Sequence, residues 1–139
     1  MGMEDLEIPG LEIESLIGYG AHSTVYLVRK PEGGTYAVKI AKAETTDTLE
    51  KKQLFLREAA VLAQVRHPAL PTIFEAGEIH GVSYLVMEYM QGETLNNVVA
   101  ESGLPQDEVL RLAKDLGGAL GAIHPLGIVH RDIKPENII

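Results

Sequence analysis

The 139 residues predict an α+β fold: a five-stranded antiparallel sheet with one helix, then a section that is helical only. Three observations predict it. Alternating or β-branched stretches, each bounded by Gly or Pro, crowd the chain as far as Met87. A single charged stretch of helical period interrupts them between residues 47 and 65. After Gly92 the pattern is helical, and its strongest apolar stripe follows Pro105.

Leu11-Glu12-Ile13-Glu14-Ser15-Leu16-Ile17 alternates apolar and polar side chains, as a half-buried strand does. Thr24-Val25-Tyr26-Leu27-Val28 and Thr35-Tyr36-Ala37-Val38-Lys39-Ile40 are rich in β-branched and aromatic residues, with the turn Pro31-Glu32-Gly33-Gly34 between them. In the helical stretch, Phe55, Ala59 and Leu62 share one face, while Lys51, Lys52, Arg57 and Glu58 occupy the rest. His67-Pro68 closes it, because the residue before proline avoids the α region. Thr72–Ala76 and Val82–Met87 then form two more strands around a Gly-containing turn. Pro105 opens the last helix, with Asp107 and Glu108 near its positive dipole end. Its stripe is Val109, Leu112, Ala113, Leu116, Leu120 and Ile123. Gly117, Gly118 and Gly121 each cost it about 1 kcal/mol relative to alanine, so it must lean on packing.

Composition excludes several functions. A chain of 139 residues can bury a core of its own, and its 45% hydrophobic and 23% charged content is that of a globular protein. Without cysteine there are no disulfides, thiolate metal sites or Cys nucleophiles. The net charge of −8 argues against nucleic acid, which needs clustered Lys and Arg. His22, His67, His80, His124 and His130 lack zinc-site spacing. No apolar run spans a bilayer. The first residues lack an export signal, and Asp5 and Leu6 stand where a myristoylation motif needs a hydroxylated residue. A cytoplasmic protein with no membrane partner is expected.

Four stretches carry chemistry. Gly18-Tyr19-Gly20-Ala21-His22-Ser23 falls between the first two strands; alone it fits a hairpin turn as well as a phosphate-approaching loop. Ala37-Val38-Lys39 puts a lysine in a strand about 20 residues past that loop, and Glu58 follows on the helix. Tyr84 to Glu93 joins the last strand to the helical section. Finally, Ile128-Val129-His130-Arg131-Asp132-Ile133-Lys134-Pro135-Glu136-Asn137 closely resembles the catalytic loop of Ser/Thr protein kinases, H-R-D-x-K-x-x-N.

The other three resemble, in family order, the kinase glycine-rich loop, its strand lysine motif and its hinge. Ser23 replaces the third glycine of that loop. The resemblance runs from Leu11 to Ile139. It implies an N-terminal extension at 1–10, a small lobe at 11–87, a hinge at 88–93 and the start of a helical large lobe at 94–139. ATP and Mg2+ are the implied cofactors, and a protein bearing Ser or Thr is the implied substrate. Gly18, Gly20, Val25, Ala37 and Lys39 would hold the nucleotide from the small lobe, Lys39 on the α and β phosphates with Glu58 as its ion-pair partner. Met87 would be the gatekeeper, the Glu88 carbonyl and Met90 N–H would meet adenine, Glu93 would reach the ribose, and Ile139 would floor the ring. Asp132 would accept the substrate proton, Lys134 would neutralise the γ-phosphate, and Asn137 would hold a Mg2+.

The family's D-F-G aspartate should follow Asn137, and no such motif occurs. These residues by themselves are therefore expected to bind ATP but to transfer negligible phosphate. With the rest of the large lobe missing, the stripe after Pro105 is expected to face water and to drive self-association. The alternative is a non-catalytic half-kinase acting as a nucleotide-binding or dimerising regulator.

Overall fold

The β-branched stretches do pair. In the computed structural model, which describes residues 7–99, 101–131 and 133–139, five strands form one antiparallel sheet. They are β1 (Glu12–Tyr19), β2 (Ser23–Arg29), β3 (Thr35–Ala41), β4 (Ile73–Ile79) and β5 (Val82–Glu88). The sheet order is β1-β2-β3-β5-β4, so the connection after β3 crosses over and β5 returns beside β3. That connection carries helix α1 (Leu49–Leu62).

Register and the two-residue period of a strand sort the side chains onto two faces. Val25 opposes Lys39, Leu27 opposes Ala37, Ala37 opposes Met87 and Lys39 opposes Leu85, so these share one face. Tyr26, Val38, Val86 and Tyr84 belong to the other. Each face has its own core. On the first, Ala59 of α1 is buried with Ile73 and Leu85, and Phe55, Leu62, Ala63 and Met87 pack around them. On the second, Val28, Val38, Tyr84 and Val86 are buried together with Ile8.

Ile8 precedes β1, in the segment the sequence analysis left as an extension. Gly10 takes a left-handed φ of 78°, and Leu11 N–H donates to the Ile8 carbonyl at 3.0 Å. This turn folds the chain back and lays Ile8 on the sheet, where it is 4% exposed. At the far edge, the Tyr84 hydroxyl donates to Glu75 Oε1 at 2.8 Å. Burial, and then the nearby Glu75 carboxylate, push the Tyr84 phenol above its ordinary value. Gly77 makes the room: a Cβ there would sit 2.8 Å from that hydroxyl.

α1 starts where the Thr48 hydroxyl accepts from Lys51 N–H at 3.2 Å, an N-cap. One turn back, Lys51 Nζ meets Asp47 Oδ1 at 2.7 Å and holds that carboxyl below its ordinary value. The predicted span of 47–65 shortens to 49–62 because the cap comes at Thr48.

Residues 65–71 and 90–139 form a second compact unit. It contains the single turn α2 (Leu95–Val98) and the long helix α3 (Gln106–Ile123). The stripe of α3 is less bare than expected. Ala119 and Ile123 are buried, and with Leu116 and Leu120 they line a hollow of about 100 Å³ shared with Leu70 and Ile133. Val109 and Leu110, at 46% and 62% exposure, are what remains open.

The α3 glycines are not equivalent. A Cβ on Gly118 would come within 3.1 Å of His67 Nε2, whose ring is oriented because its Nδ1 accepts from Ala69 N–H at 3.0 Å. Gly117 and Gly121 have nothing within 4 Å. Gly117→Ala and Gly121→Ala should therefore each stabilise the chain by about 0.5–1 kcal/mol. Gly118→Ala should gain nothing or lose stability, and urea midpoints of the three variants check the order. Among the described residues, no helix is long and apolar enough to cross a membrane.

Candidate active site

The period of the strands brings the small-lobe candidates together. Val25, Ala37, Lys39 and Met87 lie on the α1 face, on three neighbouring strands. Ala37 is 5% exposed, while Val25, Lys39 and Met87 are half-buried. The glycine loop closes over the end of this row. Gly18 pairs with Val25, and a Cβ on Gly18 would contact Val25 Cβ at 3.4 Å. Gly20 N–H donates to the Ser23 carbonyl at 2.9 Å, which turns the chain from β1 into β2.

Glu58 is half-buried on α1, next to the buried Ala59, and α1 covers the face that bears Lys39. Arg29–Glu14, Lys51–Asp47 and Lys52–Glu78 are ion pairs of the described residues, and the predicted Lys39–Glu58 pair does not appear with them. Leu62 packs against the cluster that contains Ile73. Glu88 ends β5. Its N–H donates to the Thr72 carbonyl at 2.8 Å, and its Oε2 accepts from Thr72 N–H at 3.1 Å. The acidic side chain is thus used to fasten the approach to β4.

In the second unit, Met90 is half-buried and Glu93 exposed. Lys134 is extended, and Pro135–Asn137 form a 3-10 turn in which Asn137 N–H donates to the Lys134 carbonyl at 2.9 Å. The Ile138 carbonyl accepts from Leu95 N–H at 2.7 Å, which ties the end of the loop to α2. Ile139 lies against Gly92, where a Cβ would meet its Cγ2 at 3.0 Å. The predicted floor residue is thereby brought to the segment that holds Glu93.

Asp132 lies outside the described residues. Its neighbour Arg131 has a φ of 68°. A side-chain-bearing residue in the left-handed region stores of order 1 kcal/mol of strain, a feature that concentrates at functional loops. Nothing in the residue types around Arg131 signals it. Ile8 was missed for a different reason, since a lone apolar residue before Pro-Gly has no period to read.

A sheet closed by one helix, a glycine turn at its first hairpin and a strained H-R-D loop in the following helical unit are the parts of a protein kinase. Residues 11–139 match the protein kinase domain, and the chain belongs to that family. It resembles Ser/Thr kinases of bacteria in particular. It is 34% identical over 130 residues to a "Probable serine/threonine-protein kinase" of Clostridium perfringens, spanning 92% of this chain and 19% of that protein. It is 37% identical over 123 residues to the serine/threonine-protein kinase pkn2 of Myxococcus xanthus, spanning 88% of this chain and 15% of that one. Among solved structures, the kinase domain of Mycobacterium tuberculosis PknI superposes with a TM-score of 0.83 at 28% identity, over 99% of this chain and 57% of that domain. Rad53 in complex with AMP-PNP matches with a TM-score of 0.78 at 30% identity, over 94% of this chain and 34% of that one. The chain thus spans less than a fifth of these two curated relatives and a little over half of the PknI kinase domain.

Proposed function

We propose that this chain binds ATP through its small lobe and that, within a complete kinase domain, it serves transfer of the γ-phosphate to Ser or Thr of a protein. One observation carries the reading. Gly18, Val25, Ala37, Lys39 and Met87, scattered over seventy residues of sequence, converge on one sheet face. Small, apolar Ala37 and Val25 suit the flat adenine ring, and a half-buried ammonium suits phosphate. The AMP-PNP complex of the similar Rad53 supports it.

The roles follow the chemistry. Lys39 holds the α and β phosphates, with Glu58 as its partner once α1 seats that carboxylate. The Glu88 carbonyl and Met90 N–H meet adenine, Glu93 the ribose and Ile139 the underside of the ring. Asp132 takes the proton of the attacking hydroxyl as its oxygen bonds to the γ-phosphorus and the bond to the leaving ADP oxygen breaks, while Lys134 offsets the phosphoryl charge. Mg2+, when bound, neutralises and orients the phosphates. Asn137 would hold it together with phosphate oxygens, and that donor set lacks the carboxylate that Mg2+ sites use. A polypeptide of these 139 residues, which has no D-F-G aspartate, should therefore bind nucleotide with little dependence on Mg2+ and transfer negligible phosphate. Use of ATP puts this work in the cytoplasm.

Calorimetric titration with a non-hydrolysable ATP analogue, with and without Mg2+, tests the reading. Binding nearly indifferent to Mg2+ is expected, and no binding in either condition would sink it. The dimerising alternative draws on the open Val109 and Leu110 of α3. A dimer mass by light scattering at micromolar concentration would support it, and a monomer mass would remove it.

A further inference from the structure

The glycine loop is not held by its own strands alone. The carbonyl of His22, at its tip, accepts two hydrogen bonds from the linker between β3 and α1. One comes from Lys42 N–H at 2.9 Å and the other from the Thr45 hydroxyl at 3.0 Å. A third tie reaches the other side of the loop, where Lys42 Nζ sits 3.8 Å from the centre of the Tyr19 ring. The linker is in turn fastened forward to α1, because Lys51 Nζ on the first turn of that helix bonds both the Glu44 carbonyl, at 3.1 Å, and Asp47.

We infer that Thr45 is a positioning residue for the glycine loop, setting the loop's closure over the nucleotide phosphates and coupling it to α1. Packing alone does not hold the linker. Lys42, Ala43, Thr46 and Asp47 line an open hollow of about 460 Å³ beside the sheet. A segment that borders a hollow takes its position from its hydrogen bonds, and here the bonds run to the loop at one end and to the helix at the other. The Lys42 N–H bond is a backbone contact available to any residue at that position. The Thr45 hydroxyl is the side-chain tie, and it spans 23 residues of sequence. Loosening it frees the tip of the loop, where exposed backbone N–H groups would meet phosphate oxygens, and leaves the Val25, Ala37 and Met87 face untouched.

The inference rests on the nucleotide reading above, and its test separates the two. The 139-residue chain is titrated with adenosine and with a non-hydrolysable ATP analogue, as wild type, Thr45→Val and Thr45→Ser. Wild type should bind the analogue more tightly than adenosine; if it binds neither, the nucleotide reading fails and this one falls with it. Thr45→Val keeps the shape and removes the donor. It should weaken the analogue about three- to tenfold, the scale of one net hydrogen bond, with adenosine unchanged. Thr45→Ser, which keeps the hydroxyl, should restore the analogue's affinity. Amide hydrogen exchange without nucleotide should rise in Thr45→Val across Gly20–Ser23 and stay level in β3 and β5. Equal weakening of both ligands, unchanged affinity for the analogue, failure of serine to rescue, or unchanged exchange in the loop would each overturn the assignment.

Discussion

Ile8→Ala should destabilise the small lobe by about 2–5 kcal/mol, the range for truncating a buried isoleucine. The side chain is 4% exposed and packs against Val28, Val38 and Val86, all of them fully buried, and against Tyr84. Losing three carbons forfeits about 2.4 kcal/mol of transfer free energy at about 0.8 per methylene. The void adds to that, because the strands around it are pinned by ladder hydrogen bonds and cannot collapse to fill it. A domain's whole stability is about 5–15 kcal/mol, so the loss is large. Leu16→Ala is the control. Leu16 lies on β1, close in sequence, but is 50% exposed, and its truncation should change stability by about 0.5 kcal/mol or less. Urea unfolding of the two variants decides. Equal effects would mean that the segment before β1 does not cover the sheet.

The contrast between Ile8 and Leu16 also shows what could be read from residue types. Five strands and α1 were legible because each repeats a pattern, period two or period 3.6, over several residues. The convergence of Val25, Ala37, Lys39 and Met87 follows from the same period once neighbours are known, since odd-numbered positions 37 and 39 must share a face. Ile8 has no repeat around it. Its burial depends on a turn at Pro9-Gly10 and on the accident that the outer face of the sheet needs a cover. The Lys39–Glu58 pair was a matter of sequence order, and an ion pair needs more: α1 must be seated so that a half-buried carboxylate reaches the strand. Order along the chain carries no information about that depth or rotation. The α3 stripe was legible as a stripe, yet its covering was not, because Leu70 and Ile133 come from distant loops. The His22 ties are of the same kind, with backbone carbonyl chemistry that any residue could supply.

Lys39→Met should weaken binding of the ATP analogue by about ten- to a hundredfold while leaving adenosine unchanged. A hydrogen bond to a charged group contributes about 1.5–3 kcal/mol, and each 1.4 kcal/mol is a factor of ten. Methionine nearly matches the lysine stem, so the packing beside Ala37 and Leu85 survives and only the ammonium is lost. The overall field cannot substitute for it. The chain carries a net charge of −8, which repels a triphosphate, so affinity for the phosphates must come from local contacts. Lys30→Met supplies the comparison. It also removes one positive charge, but Lys30 sits 4.6 Å from the ring centre of Tyr36, whose strand position puts it on the opposite face from Lys39. If general charge governed affinity, the two variants would lose alike. If Lys39 acts at the phosphates, only its variant loses, and only for the ligand that carries phosphate. A parallel loss for adenosine would assign Lys39 to holding the sheet and α1 together instead.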